Sequence, residues 1–271
     1  MINSKKTKCG ITGYSGNLGK HILKSKKFIF VKFTGDITKP KMVNKWIKNN
    51  KFDLIIHLAA VVPTKKVLEN FAYAKKVNVD GTKNLVNAIN KYSKNLIWFF
   101  YSSTSHVYSF SKKKISENYI KKPISKYGET KLKGEKIIEK YLDKKINYTI
   151  GRIFSFTSKL QDQSFFIPSI KRKVFSNKKN NLYFSNVNHY RDFIKIEYIV
   201  DIIFFLFKKR YRGVINIASG IKISLKDIII KLNNKKNRLF FQNEKFEKSQ
   251  FASIKKLRSC GYKRKNLNWY E

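Results

Sequence analysis

A glycine turn near the start of the chain constrains the fold more than any other feature. Residues 8–12 (KCGIT) make a short strand, followed by Gly13-Tyr14-Ser15-Gly16-Asn17-Leu18-Gly19 and a helical run over 20–26. Strand, glycine turn and helix in that order form the phosphate-cradling start of a dinucleotide-binding fold. Gly13 permits the tight turn, Gly16 lets backbone approach a pyrophosphate, and Gly19 lets the helix pack on the strand. The pyrophosphate would sit at the positive end of that helix.

The chain then alternates. Residues 28–33 read as a second strand and 42–49 as a helix. Residues 53–60 (DLIIHLAA) form a nearly all-apolar third strand, as a parallel strand covered on both faces requires. Residues 78–90 carry Leu85, Val86 and Ile89 at helical spacing, and 96–103 (LIWFFYSS) are a fourth strand running into Thr104. A helix from about 127 to 141 and a strand over 148–154 follow. This alternation predicts a Rossmann-like, doubly wound parallel α/β sheet over residues 1–154. Residues 155–271 are less regular and read as a smaller C-terminal substrate-binding lobe, with parts of about 186–210 returning to the first domain. There a helix ends near 175, and 182–184 and 191–194 read as short strands, 199–208 and 225–232 as helices, and 214–218 as a strand.

In the segment ISKYGETKLKGEK (124–136), Tyr127 and Lys131 stand four apart on a helix and share one face. A cation beside a phenol favours the phenolate, so Lys131 is expected to lower the proton affinity of Tyr127 toward neutral pH. A surface pair in a lysine-rich protein would have the same spacing; the preceding dinucleotide pattern gives this one its meaning.

Charge is the loudest property of the composition. The 271 residues hold 59 Lys+Arg against 17 Asp+Glu, a formal net charge of +42. Of the 59, 51 are lysine, spread along the whole length among Asn, Ile, Phe and Tyr. Nucleic-acid readers lean on arginine forks, so no nucleic-acid partner is expected and an anionic substrate is the natural beneficiary. No stretch reaches the roughly 18 apolar residues of a membrane span, and residues 1–13 lack the apolar core of a signal peptide. Cys9 and Cys260 make neither a disulfide framework nor a metal spacing, so no metal is expected and the chain reads as cytoplasmic.

Taken in order, TGYSGNLG (12–19), GDIT (35–38), HLAA (57–60), NVDGT (78–82), SSTSHVY (102–108), YGETK (127–131), RDFIKIEYIVD (191–201) and NIASG (216–220) resemble the extended short-chain dehydrogenase/reductases, in the NAD-dependent epimerase/dehydratase family that acts on nucleotide sugars. The resemblance implies an enzyme with NAD or NADP as cofactor, a nucleoside-diphosphate sugar as substrate, and a possible homodimer. It places Gly13, Gly16, Asn17, Leu18 and Gly19 at the cofactor diphosphate, and Asp36 and Ile37 around the adenine. Leu58, Ala59 and Ala60 would line the path to the nicotinamide ribose, with Asn78 in the cofactor pocket or capping a helix. Phe154 would pack near the nicotinamide. Thr104 would hydrogen-bond the reacting oxygen, Tyr127 would move its proton, and Lys131 would hold ribose hydroxyls and tune Tyr127. His106 and Ser155 would line the sugar, and Arg191 would grip its diphosphate. Ser105 and His106 stand where the group's dehydratases carry an acid pair, which disfavours water elimination. The short loop before Asp36 is like that of 4-keto-sugar reductases. It offers no acid for a ribose 2′-hydroxyl, and Lys32 there could meet a 2′-phosphate. The leading expectation is reduction of a 4-keto-sugar nucleotide. A 4-epimerase is the alternative within the fold, and a catalytically idle dinucleotide sensor or RNA-binding member of the fold is the alternative of another class.

Overall fold

The computed structural model describes residues 7–62, 64–176, 181–234, 237–242, 248–264 and 267. The first part of the chain runs β1 (Lys8–Thr12), α1 (Asn17–Ile22), β2 (Ile29–Lys32), α2 (Pro40–Lys48) and β3 (Leu54–His57). It continues through α3 (Thr64–Glu69), α4 (Phe71–Lys75), a π-helical turn (Lys76–Asp80), α5 (Gly81–Tyr92), β4 (Trp98–Thr104) and a 3₁₀ turn (Ser105–Val107). After α6 (Lys126–Tyr141) and β5 (Asn147–Ile153) come β6 (Ser155–Thr157), α7 (Phe166–Ser176), β7 (Asn181–Phe184), β8 (His189–Arg191) and β9 (Phe193–Lys195). The remainder is α8 (Ile196–Lys208), β10 (Gly213–Ile217), β11 (Ile223–Ser224), α9 (Leu225–Leu232), β12 (Arg238–Phe241), β13 (Lys248–Gln250) and α10 (Lys255–Ser259).

Two compact units result, one of residues 1–109, 119–153 and 199–215, the other of 110–118, 154–198 and 216–271. The first carries a six-stranded sheet in the order β10-β5-β4-β3-β1-β2, and its β2–β1, β1–β3, β3–β4 and β4–β5 pairs are parallel. The order reverses at β1, the switch point beside which ligands bind in doubly wound sheets. Burial explains the strand sequences: every residue of β3, and Trp98 to Tyr101 of β4, is buried between helices. Val43 and Ile47 of α2 and Leu85, Val86 and Ile89 of α5 pack into one apolar cluster with Phe33, Ile55 and Phe99. The second unit has its own cluster, built from Ile167, Ile170 and Val174 of α7, Leu182 and Phe184, and Leu225, Ile228 and Ile229 of α9. None of the described helices is long and apolar enough to cross a membrane.

The structure corrects several expected elements. The helix expected over 20–26 begins earlier and stops at Ile22. Gly16 is already its N-cap, with Lys20 donating to the Gly16 carbonyl at 2.9 Å. The Lys-Ser-Lys-Lys run of 24–27 offers no apolar face to continue it. Helices α3 (TKKVLE) and α4 (FAYAK) were not expected, because segments this short show no apolar period. The helix expected from Asn78 starts instead as the π turn, a feature frequent at functional sites. The single strand expected over 191–194 is two strands in different sheets, parted at Asp192. The buried Asp192 carboxylate accepts from the Ser219 amide and hydroxyl, the Gly220 amide and the Ala252 amide at 2.6–3.1 Å, which fixes the residue that parts the two strands.

Candidate active site

The glycine turn is built as its sequence implies. Gly13 has φ +69°, and a Cβ there would stand 2.5 Å from the Ala59 amide nitrogen. A Cβ on Gly19 would lie 2.6 Å from the Gly13 carbonyl oxygen and from Tyr14. Gly16 differs: an added Cβ would meet one atom alone, the Gly13 oxygen at 3.3 Å, and would otherwise fill the open space above the turn. That is the cradle a diphosphate needs.

A buried polar chain locks the turn to the segment after β3. The Ala59 amide donates to Thr12 Oγ1 (3.2 Å), which lies 2.7 Å from His57 Nδ1. His57 Nε2 is 3.0 Å from Thr82 Oγ1, and Thr82 donates to the Asn78 carbonyl at 2.7 Å. Since the Thr82 proton is committed to Asn78, its oxygen accepts from Nε2–H, and His57 Nδ1 in turn accepts from Thr12. Burial first, and the charge of Lys131 second, pull the pKa of His57 down to about 3, so the ring is neutral.

Asn78 is neither exposed nor a helix cap. Its Oδ1 accepts from the Val61 amide at 2.7 Å, and its Nδ2 donates to Thr130 Oγ1 at 3.0 Å, so it braces the strand-end loop against α6. Ile37 is buried in the core over Gly81, leaving its main chain rather than its side chain for a ligand. Asp36 is exposed; its Oδ1 accepts from the Thr38 amide at 2.8 Å, a bond that holds its carboxyl below the usual range.

Thr104 is the last residue of β4, and its Oγ1 accepts from the His106 amide at 3.3 Å, which leaves the hydroxyl proton to donate. Ser125 caps α6 by accepting from the Gly128 amide, and its Oγ also lies 2.9 Å from His106 Nδ1. The His106 ring meets the Tyr127 ring edge-on, centroids 6.0 Å apart. Two glycines bring α6 against the strand end: a Cβ on Gly128 would be 2.2 Å from the His106 carbonyl oxygen, and one on Gly134 2.0 Å from the Tyr101 hydroxyl. Glycine costs a helix about 1 kcal/mol relative to alanine, and close approach is the return.

The electrostatics of the pair run opposite to the expectation. Burial pushes the Tyr127 hydroxyl well above the ordinary tyrosine range. Lys131, 1% exposed, holds its Nζ 4.0 Å from the centroid of the Tyr101 ring. Burial brings its pKa down to about 7, against the opposing pull of Glu135. Tyr127 is therefore a protonated phenol at neutral pH. A stability consequence follows. Between about 7 and the unfolded lysine value of about 10.4, the unfolded chain binds the extra proton, so this group makes stability rise with pH across that window. The unfolding free energy of wild type minus that of Lys131→Met should therefore increase from pH about 7 to about 10; a flat difference would refute the burial effect.

Below the pair lies a network not anticipated from sequence. Arg152 of β5 donates from Nε and Nη2 to the two Glu135 carboxylate oxygens at 3.0 and 2.7 Å, and from Nη1 to the Tyr108 hydroxyl at 2.8 Å. Ser103 donates to the same carboxylate. An arginine inside the apolar run TIGRIF, and a glutamate four residues past Lys131, were its sequence signals.

Phe154, Ser155 and Arg191 belong to the second unit. Phe154 is buried and its amide donates to the Ile217 carbonyl. Ser155 opens β6 and is part-exposed. Arg191 ends β8, with its guanidinium 5.6 Å from the Phe110 ring centroid and Nη1 donating to the Tyr190 carbonyl. No carboxylate lies at ion-pair distance among the described residues, and burial lowers its pKa to about 10.

A family model described as GDP-mannose 4,6 dehydratase matches residues 5–264. The chain belongs to this family of epimerases and dehydratases. It is 29% identical over 254 residues to a GDP-6-deoxy-D-talose 4-dehydrogenase of Aggregatibacter actinomycetemcomitans, covering 86% of this chain and 84% of that one. It is 30% identical over 191 residues to a UDP-glucose 4-epimerase of Lactobacillus helveticus, covering 62% and 56%. Among solved structures, a dTDP-4-dehydrorhamnose reductase of Clostridium acetobutylicum superposes with a TM-score of 0.82 at 21% identity, over 97% of this chain and 95% of that one. The last likeness establishes the fold.

Proposed function

We propose that the protein is an NAD(P)-dependent oxidoreductase acting on a nucleoside-diphosphate sugar, most specifically a reductase of a 4-keto-sugar nucleotide. What supports this reading is that Thr104 ends β4, the His106 ring two residues on meets Tyr127 at the start of α6, and Lys131 follows one turn later, in the unit that holds the open glycine turn. Gly16 leaves room for a dinucleotide diphosphate, and the turn, Asp36 and the Leu58–Ala60 segment would hold its remaining parts. The bound nicotinamide supplies or takes up the hydride.

The chain's residues handle the oxygen. Tyr127, held protonated by burial, donates its proton to the carbonyl oxygen as that oxygen becomes a hydroxyl. Thr104 donates a hydrogen bond to the charge developing there. Lys131 sits one turn below, where ribose hydroxyls would meet it. Ser105 and His106 in place of a carboxylate pair count against water elimination. Arg191 presents a half-buried fork suited to a diphosphate, with no carboxylate at ion-pair distance among the described residues. The 4-epimerase of Lactobacillus helveticus keeps epimerisation as the second reading.

The test is a panel of keto- and hydroxy-sugar nucleotides with reduced cofactors, followed by nicotinamide absorbance and product chromatography. Stoichiometric cofactor oxidation with a 4-keto sugar is expected. Turnover without net oxidation would select the epimerase, and inactivity on every sugar would overturn the reading.

A further inference from the structure

The buried polar groups behind the glycine turn do not stop at Asn78. Its Nδ2 donates to Thr130 Oγ1 at 3.0 Å, and Thr130, on α6, donates onward to the Tyr127 carbonyl at 2.8 Å. Joined to the bonds around His57, this makes one path from the Ala59 amide through Thr12, His57, Thr82, Asn78 and Thr130 to the main chain of Tyr127. Its bonds are 2.7–3.2 Å long, and each donates in the same sense, from the turn toward α6. Thr12, His57, Thr82, Asn78 and Thr130 are each no more than 1% exposed. Leu54, Ile55 and Ile56 fill the rest of β3 with apolar side chains, whereas His57 ends that strand beside Thr12, the last residue of β1. A buried polar path holds its members in register, because loosening one link leaves its neighbour unsatisfied. One end is the Ala59 segment that lies against Gly13, and the other is the carbonyl of the proton donor.

We propose that His57 is a positioning residue that couples the seating of the glycine turn to the placement of Tyr127. Its two ring nitrogens divide the path. Nδ1 meets Thr12, on the strand that leads into the turn, and Nε2 meets Thr82, near the start of α5. His57 itself lies too deep to touch a ligand, so it acts through these neighbours. The assignment rests on the reading of the site as a dinucleotide turn with Tyr127 as proton donor.

The two nitrogens can be replaced one at a time. Asparagine reaches the Nδ1 position and can accept from Thr12; glutamine reaches the Nε2 position and can donate to Thr82. His57→Asn is expected to keep its affinity for NADH and NADPH, measured by calorimetric titration, and to lose about tenfold in kcat, the scale of one buried hydrogen bond. His57→Gln should do the reverse, binding both dinucleotides about tenfold more weakly while kcat at saturating cofactor is kept. His57→Leu should lose both. Thr130→Val, which cuts the path at its far end, should match His57→Asn, and it decides the matter if the His57 variants do not fold: a loss of kcat at unchanged dinucleotide affinity supports the coupling, and any other result overturns it. Amide hydrogen exchange of the ligand-free protein reads the same division without a reaction. Exchange should quicken at Ala59 in His57→Gln, and around Thr130 in His57→Asn and Thr130→Val. A general loss of stability would instead lower affinity and kcat together in every variant and quicken exchange at both ends; that pattern overturns the proposal, as does an undiminished His57→Leu. If the wild type binds neither dinucleotide, the functional reading falls, and the exchange pattern alone decides whether His57 couples the two ends.

Discussion

Tyr127→Phe is expected to lower turnover by about 100-fold or more, the usual worth of a positioned proton donor. The substitution removes one oxygen and leaves the ring that packs edge-on against His106. The cap by Ser125 and the close approach at Gly128 do not involve the hydroxyl, so α6 keeps its place. Cofactor affinity, measured by titration, should change little, while the rate of cofactor oxidation with a keto-sugar nucleotide collapses. The loss should fall on kcat rather than KM, because the interaction removed is one made as the proton moves. A Phe variant with near-normal kcat would remove Tyr127 from the chemistry and leave the glycine turn without a reaction to serve.

The same residue marks how far the sequence could be read. The four-residue spacing of Tyr127 and Lys131 follows from helical geometry, and α6 places both on it. Their electrostatics do not follow from spacing. Attraction between neighbours is a local property, whereas desolvation depends on what closes over the helix, and here it wins for both groups. The glycine turn was legible because its requirements are local: Gly13 needs a positive φ, and the contacts of Gly19 lie within six residues. The glycines of α6 were not. Gly128 and Gly134 look like helix defects until β4 and its 3₁₀ turn are in place, when each proves to be the point of closest approach. Strands β3 and β4 announced themselves as apolar runs. Asp192 was hidden inside RDFIKI, because its partners at Ser219, Gly220 and Ala252 are distant in sequence. Asn78 stood out by motif, but its work as a brace between Val61 and Thr130 depends on a helix 52 positions away.

Glu135→Ala is expected to cost about 3–5 kcal/mol of stability, because it strands a buried charge. Both partners of the Glu135–Arg152 pair are 1% exposed, and the guanidinium meets the carboxylate through two hydrogen bonds. Without Glu135, Arg152 would keep only the Tyr108 hydroxyl among these partners, and Ser103 would lose its acceptor. The exposed Lys126–Glu129 pair on the same helix is the control. Its side chains are 50% and 37% accessible, so Glu129→Ala should cost no more than about 0.5 kcal/mol. Denaturant unfolding of the two variants separates these values easily. The double variant Glu135→Leu, Arg152→Leu distinguishes the cause. Replacing both charges by apolar side chains leaves no orphaned ion, so it should recover much of the stability lost in Glu135→Ala. A double variant as unstable as the single one would mean that the loss came from packing. A single variant costing less than about 1 kcal/mol would show that water reaches Arg152. The functional corollary is a matter of position. Ser103, which precedes Thr104, donates to Glu135, which lies one turn beyond Lys131, so the network around the pair ties the strand end that carries the hydroxyl to the helix that carries the phenol and the amine. Recovered stability in the double variant, without recovered kcat, would identify that tie as the reason for charges in a site where apolar residues could fold as well.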